Sequence, residues 1–317
     1  VTTTQDQNAG TKSGSESFVT VVIAFFANFV VAVAKTGAAL ITGSASLVAE
    51  AAHSWADTGN EILLLVAERR SRRGRDARHP QGYGKEAYIW SMFAAFGLFA
   101  VGAAVSIQHG ISELISPEPA TDYAVAYVVL AIAAVLEGVS FLRSYQQAKR
   151  GAVRRRIGLL SQVFRTSDPT LRAVFAEDAA ALIGLGIAFA GVLLHQLTGS
   201  PAYDSIGSIL VGLVLGVVAV VLINQNRRFL LGETVDRPTR QYLLRQLLAH
   251  PDVDRVTYLH IEFAGPAELF VVAAIDFAGN DSENSLALTL RRLETELEND
   301  PRVTESVLTL ATPDEST

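Results

Sequence analysis

The 317-residue chain contains no cysteine. That excludes a disulfide scaffold, thiolate metal sites, cysteine nucleophiles and iron–sulfur clusters, and leaves His, Asp and Glu as the strong metal ligands. Charge is scarce as well: 18% of residues are Asp, Glu, Lys or Arg, against about a quarter in globular chains. Glycine and proline show no repetitive excess, so collagen-like and broadly disordered readings fail. Half of the residues are apolar and the mean hydropathy is +0.30.

The net charge of −6 is unevenly spread. From Glu233 onward the chain has 16 acidic and 7 basic residues, a net −9, which leaves the preceding 232 residues at +3. A basic, apolar membrane part followed by an acidic, polar domain fits this asymmetry, and the acidic tail argues against nucleic acid as a partner.

Six stretches meet the roughly 20 apolar residues that a transmembrane helix needs: 18–41, 45–67, 87–115, 123–145, 171–197 and 206–224. No strand-like alternation competes, so helices are the spanning solution. The links after the second and fourth spans are strongly basic (Glu68-Arg-Arg-Ser-Arg-Arg-Gly-Arg-Asp-Ala-Arg78; Arg143, Lys149, Arg150 and Arg154 to Arg156), and Arg227 and Arg228 follow the sixth. The opposite links contain no Lys or Arg. The positive-inside rule then places both termini on the cytoplasmic side of a multi-pass protein; the richness in Ala, Val, Leu and Arg and the short N-terminus fit a bacterial inner membrane, with an organelle membrane as the alternative. Residues 1–17, rich in Thr, Ser, Gln and Gly, read as a disordered tail and not a signal peptide. The expected fold is an all-α six-helix membrane bundle over 18–228. A C-terminal cytoplasmic α+β domain over 233–317 follows, α-β-β-α-β and ferredoxin-like: helices over 239–250 and 285–298, strands over 255–263, 267–277 and 303–310.

Ionisable residues inside a span are costly and are functional candidates by default. On a helical wheel Ser46, Glu50, His53, Asp57, Asn60 and Glu61 of span two share a sector of about 100°. His53 and Asp57, spaced i, i+4, face the same way near the middle of the span. A lone polar residue usually glues helices together; an imidazole among several carboxylates points to a divalent-cation or proton site. Span five adds adjacent Glu177 and Asp178, which point about 100° apart. Asp178 is favoured as a ligand. Glu177 is left as a supporting or proton group, or as the partner of a basic residue. Lys35 in span one is placed to snorkel or to pair with Glu50. Asn28, Glu137 and the His109–Glu113 pair are weaker signals.

Gly43-Ser-Ala-Ser-Leu-Val-Ala-Glu-Ala-Ala-His53-Ser-Trp-Ala-Asp57 resembles the second span of cation diffusion facilitators, and His79-Pro-Gln-Gly-Tyr-Gly-Lys-Glu86 resembles the segment that opens their third. The resemblance covers residues 18 to 312. It implies a homodimeric, proton-coupled exporter of divalent metal, usually zinc, with the metal as cargo and no cofactor. It also implies a tetrahedral site from two residues of span two and two of span five. Carried over, these are His53, Asp57 and Asp178, but the position four before Asp178 is Val174. Glu177, Glu50 or water is left for the fourth place. One imidazole and several carboxylates suit zinc, and also manganese, cobalt or ferrous iron. His79 with Asp76 is a weak candidate for a second site. The tail offers only His250, His260 and scattered carboxylates such as Glu262, Asp276 and Asp281 for regulatory metal. The alternatives are a proton carrier using His53 and Asp57 as a relay, or a metal sensor without transport. A zinc protease lacks its HExxH, since Glu50-Ala-Ala-His53 has the wrong order.

Overall fold

The computed structural model describes residues 25–26, 28–117, 122–155, 157–279 and 282–311. The expected tail over 1–17, the onset of span one at 18–24, and Asp281 lie outside them. The chain divides into two compact units, 1–66 with 90–225, and 67–89 with 226–317.

The first unit is helical. α1 covers Asn28–Thr42 and α2 Ala45–Ser71. The turn between them is short because Gly43 takes a left-handed φ of 67°, which closes α1, while Ser44 Oγ accepts the amide of Leu47 at 3.2 Å and caps α2. α3 runs Glu86–Ile115 with a π-helical stretch at Leu98–Ala103. α4 is Tyr123–Arg155, α5 Leu159–Arg165, α6 Pro169–Thr198 and α7 Ala202–Leu230. Asp168 accepts the amides of Thr170 and Leu171, and Pro169 occupies the first turn, so α6 starts with a strong cap.

Four described helices, α3, α4, α6 and α7, are long and apolar enough to cross a membrane. α2 is 27 residues long, but its polar stripe lowers its hydropathy. The described part of α1 is a shorter apolar helix. α4 continues ten residues past the expected end at Tyr145, and α5 is a helix that the hydropathy pattern did not announce.

α2 and α6 hold the middle of this unit. On one side Leu47, Leu185, Ala188 and Val192 pack with Ala38 and Ala39 of α1 and Ala126, Leu130 and Ala133 of α4. On the other, Ala49, Ala56 and Ala180 pack with Leu98 and Ala103 of α3 and Val211, Leu215 and Ala219 of α7. The many alanines let the helix backbones approach closely, as membrane helix packing requires.

The second unit holds a small mixed sheet. α8 spans Arg237–Leu248, capped by Asp236. β1 (Val253–Gly265) and β2 (Glu268–Phe277) form an antiparallel hairpin, with Val256 opposite Ile275 and Ile261 opposite Val271. α9 (Glu283–Glu298) then crosses over to β3 (Val303–Leu310), which runs parallel to β2. The sheet order is β1-β2-β3. Leu243 and Leu247 of α8 and Leu293 and Leu297 of α9 pack with Val271, Ala273 and Ile275 of β2. Tyr242 and Leu248, apolar like Leu243 and Leu247, lie on the outer side of α8 and are exposed. The 67–89 segment approaches the hairpin turn at Gly84. A Cβ there would lie 2.7 Å from the Gly265 Cα and 2.8 Å from the Ala264 carbonyl oxygen, so only glycine fits without displacement.

Candidate functional site

The polar stripe of α2 is used residue by residue. At one end Ser46 donates its amide to Asp204 Oδ1 at 3.3 Å and its hydroxyl to the Asp204 carbonyl at 2.8 Å, tying α2 to α7. Next, Glu50 Oε2 meets Lys35 Nζ of α1 at 3.0 Å, both side chains fully buried. Glu50 Oε1 lies over Gly184 of α6, where a Cβ would stand 2.5 Å from it. Toward the other end Asn60 donates to Glu177 Oε1 at 3.0 Å, and Asn28 donates to Glu61 Oε1 at 2.7 Å.

Between these tied positions stand His53 and Asp57. His53 is completely buried, and its Nδ1 lies 3.4 Å from Asp57 Oδ1. Neither ring nitrogen of His53 nor Asp57 Oδ1 has a hydrogen-bond partner among the described residues. Buried polar atoms are normally satisfied, and each exception needs an explanation. An imidazole and a carboxylate side by side, spaced one helical turn apart and unpartnered, form the start of a cation site.

The adjacent acids of α6 part company. Asp178 turns toward α4, accepting the Ser140 hydroxyl at 3.1 Å on each oxygen and the Ser144 hydroxyl at 3.1 Å. Glu177 turns toward α2 and Asn60, and takes this amide where pairing with a basic residue had been one expectation. The charges of Glu177, Glu137, Lys35 and Asp178 all reach Asp57. Even so, among the described residues no three His, Asp or Glu side chains converge closely enough to hold a metal. His53 and Asp57 are brought together; Asp178 stays with its serines and Glu50 with its lysine. Val174 packs in an apolar cluster with Leu64, Ala95, Ala173 and Leu222.

Ser140 and Ser144 were not singled out from the sequence. Their i, i+4 spacing on the face of α4 that also carries Glu137 was the available signal. His195, also passed over, is buried near the far end of α6, its ring edge-to-face with Tyr123 at 5.6 Å.

His79 and Asp76 lie in the second unit, each about half exposed. Asp76 accepts the Tyr83 hydroxyl at 2.7 Å and the amides of His79 at 2.8 Å and Arg78 at 2.9 Å. The tyrosine hydroxyl first, then these backbone amides, hold its carboxyl down at about 2. His79 Nδ1 stands 3.3 Å from Asp76 Oδ1, and its ring lies 4.1 Å from that of Tyr83. The pair shapes the turn that leads into α3. In the tail, His250 stands 3.6 Å from Glu296 and 3.8 Å from Asp252, and His260 stands 3.5 Å from Glu262.

Comparison with known proteins adds the decisive observation: residues 21–231 match the model of the cation efflux transmembrane domain. The chain belongs to the cation diffusion facilitator family. Metal tolerance protein C4 of Arabidopsis thaliana is 38% identical over 259 residues, 82% of this chain and 57% of the relative. The mitochondrial proton-coupled zinc antiporter of Xenopus laevis is 36% identical over 238 residues, 75% of this chain and 43% of the relative. The cation-efflux pump FieF of Escherichia coli is 26% identical over 232 residues, 73% of this chain and 71% of the relative. The chain thus spans about half the length of the first two. Family membership and the four apolar helices make it an integral, multi-pass membrane protein of a transporter family.

Proposed function

We propose that this facilitator exports a divalent cation, zinc before others, in exchange for protons. The observation that carries the reading is the buried, unpartnered His53–Asp57 pair in the middle of α2. In this reading all six helices α1, α2, α3, α4, α6 and α7 span the membrane, and both termini lie on the cytoplasmic side of a bacterial inner membrane. The ferredoxin-like tail domain serves dimerisation and regulation, and two copies of the chain make the transporter.

The cargo ion is bound by His53 and Asp57 from α2 and Asp178 from α6. With Val174 supplying no donor and Glu50 committed to Lys35, Glu177 is the side chain left to complete the set. Asp178 leaves Ser140 and Ser144 when it engages the ion. Those hydroxyls hold the carboxylate in reserve and lower the cost of its being buried without metal.

Exchange follows from linkage. The ion binds neutral imidazole and ionised carboxylates, so binding expels protons and protonation expels the ion. Alternating exposure of the midplane site to the two sides of the membrane then moves metal outward as protons move inward. The relatives whose names include a zinc antiporter support zinc and proton coupling for this chain.

One observation favours a second cargo. With Val174 where a nitrogen ligand would stand, the donors are one imidazole and oxygens, a set that also suits manganese, cobalt or ferrous iron. Uptake of each metal into proteoliposomes under an imposed pH gradient separates the readings. Zinc flux at or above that of the other ions is the expected result. Manganese or iron flux without zinc flux would transfer the cargo, and proton flux independent of every metal would replace export by a proton-carrier role.

A further inference from the structure

The strongest feature that metal transport does not use is an open cavity of about 630 Å³ lined by α4, α5 and the start of α6. Arg143, Gln147, Arg150 and Gly151 of α4, Gln162 of α5 and Leu171 of α6 are among the side chains that line it, and no acidic residue does among the described residues; Asp168 lines the adjoining cleft, which shares Arg143, Gln147 and Leu171. Arg143 and Arg150 are spaced i, i+7, so they lie on one face of α4 about 10 Å apart along its axis. Both are exposed, and neither has an ion-pair partner among the described residues.

The floor of the cavity is built rather than incidental. Gln162 is 96% buried, yet its Oε1 has no hydrogen-bond partner among the described residues. Its amide rests against Gly151, where a Cβ would meet Nε2 at 2.7 Å. A buried amide oxygen without a protein partner calls for a group that completes it. As placed, the amide presents its acceptor oxygen; rotation by 180° exchanges its two ends, and in that orientation the NH2 donates in place of the oxygen. Two free guanidiniums and a buried amide donor match the geometry of phosphate oxygens.

The setting selects the source of that phosphate. The apolar run of α4 from Tyr123 to Leu142 covers about 30 Å, the thickness of the hydrocarbon layer, so Arg143 stands where the headgroups begin. Beside the cavity Leu142 is exposed on α4, and Leu160 and Phe164, one turn apart, are exposed on α5. A short helix with an outward apolar face at that depth lies in the interface. We propose that this cavity binds the phosphate headgroup of an anionic lipid, with Arg143 and Arg150 as its charge partners, Gln162 beneath it, and the acyl chains running along the exposed apolar face of α4.

The test is the thermal unfolding midpoint of the full chain in neutral detergent. Phosphatidylglycerol, phosphatidylcholine or inorganic phosphate is added as the probe. Phosphatidylglycerol is expected to raise the midpoint by several degrees over phosphatidylcholine. The Arg143→Gln/Arg150→Gln variant loses most of that shift, and Arg150→Gln alone loses part of it. Lys149→Gln/Arg155→Gln, which removes the same charge from α4 outside the cavity lining, keeps it. A shift that survives in Arg143→Gln/Arg150→Gln, or that is lost equally in Lys149→Gln/Arg155→Gln, overturns the site. An equal shift with inorganic phosphate that cancels the lipid effect overturns the lipid assignment in favour of a soluble anion.

Discussion

His53→Ala and Asp57→Ala are each expected to abolish metal flux while leaving the helical fold in place. Loss of a residue that merely supports a metal ligand costs about 10–100-fold, so loss of a ligand itself is expected to exceed about 100-fold. The fold survives because neither side chain holds helices together. The stripe is tied to its neighbours at Ser46, Glu50, Asn60 and Glu61, whereas the close polar approach of His53 is to Asp57 of its own helix. Removing the imidazole takes away an orphaned buried group, whose satisfaction contributed nothing to begin with. Metal uptake in proteoliposomes, with circular dichroism as the check on folding, reads both effects. Wild-type flux in both variants would remove the pair from the transport path. In the same assay Asp178→Asn is expected to cost more than Glu177→Gln, because Glu177 is placed as the completing group. The reverse order would make Glu177 the principal α6 ligand.

Breaking the Lys35–Glu50 pair has the largest expected effect on stability. Both partners are fully buried and 3.0 Å apart, and cutting one partner from such a pair costs about 3–5 kcal/mol, since the other charge is left without compensation. The two halves are not equivalent. The charges of Glu137 and Asp57 also reach Lys35, so Glu50→Gln leaves the ammonium with other counter-charges. Lys35→Met instead leaves several carboxylates without their internal cation and is expected to be the more damaging change. Replacing the pair by apolar side chains, Lys35→Met with Glu50→Leu, recovers most of the loss, because neither desolvation cost then remains. Unfolding midpoints of the three variants in detergent give the coupling directly. Equal, additive losses in the singles and the double would mean that the two side chains do not act on each other.

How much was legible in the sequence depended on what each signal measures. Hydropathy located α3 and α6 to within two residues and α7 to within six, because long apolar runs have few alternative uses. It misplaced the end of α4 because it reports where the membrane stops and not where the helix does. The residues after Tyr145, rich in Gln, Ala, Lys and Arg, are good helix formers and carry the helix to Arg155. α5 is only seven residues long, too short for periodicity to mark it. The Val- and Ile-rich run of β2 and the leucine spacing of α9 marked these tail elements, since one face of each is buried in a common core.

The stripe of α2 was visible because 3.6-residue periodicity puts its members on one face. Its partners were not visible, because periodicity within one helix says nothing about rotation against the next. The sequence therefore placed Glu177 and Asp178 about 100° apart but could not say which faced α2. The structure sends Asp178 to the serines of α4 and Glu177 to Asn60.

In the proposed mechanism one ion leaves against protons through the His53–Asp57 pair. The most direct measurement records both fluxes in the same vesicles, with a zinc indicator and a pH indicator trapped together inside proteoliposomes. When zinc is added outside, the account requires that zinc entry and proton exit start together. Both must slow as the outside is acidified, and both must vanish in His53→Ala. Zinc entry with no accompanying proton movement, or proton movement that persists without zinc, would contradict it.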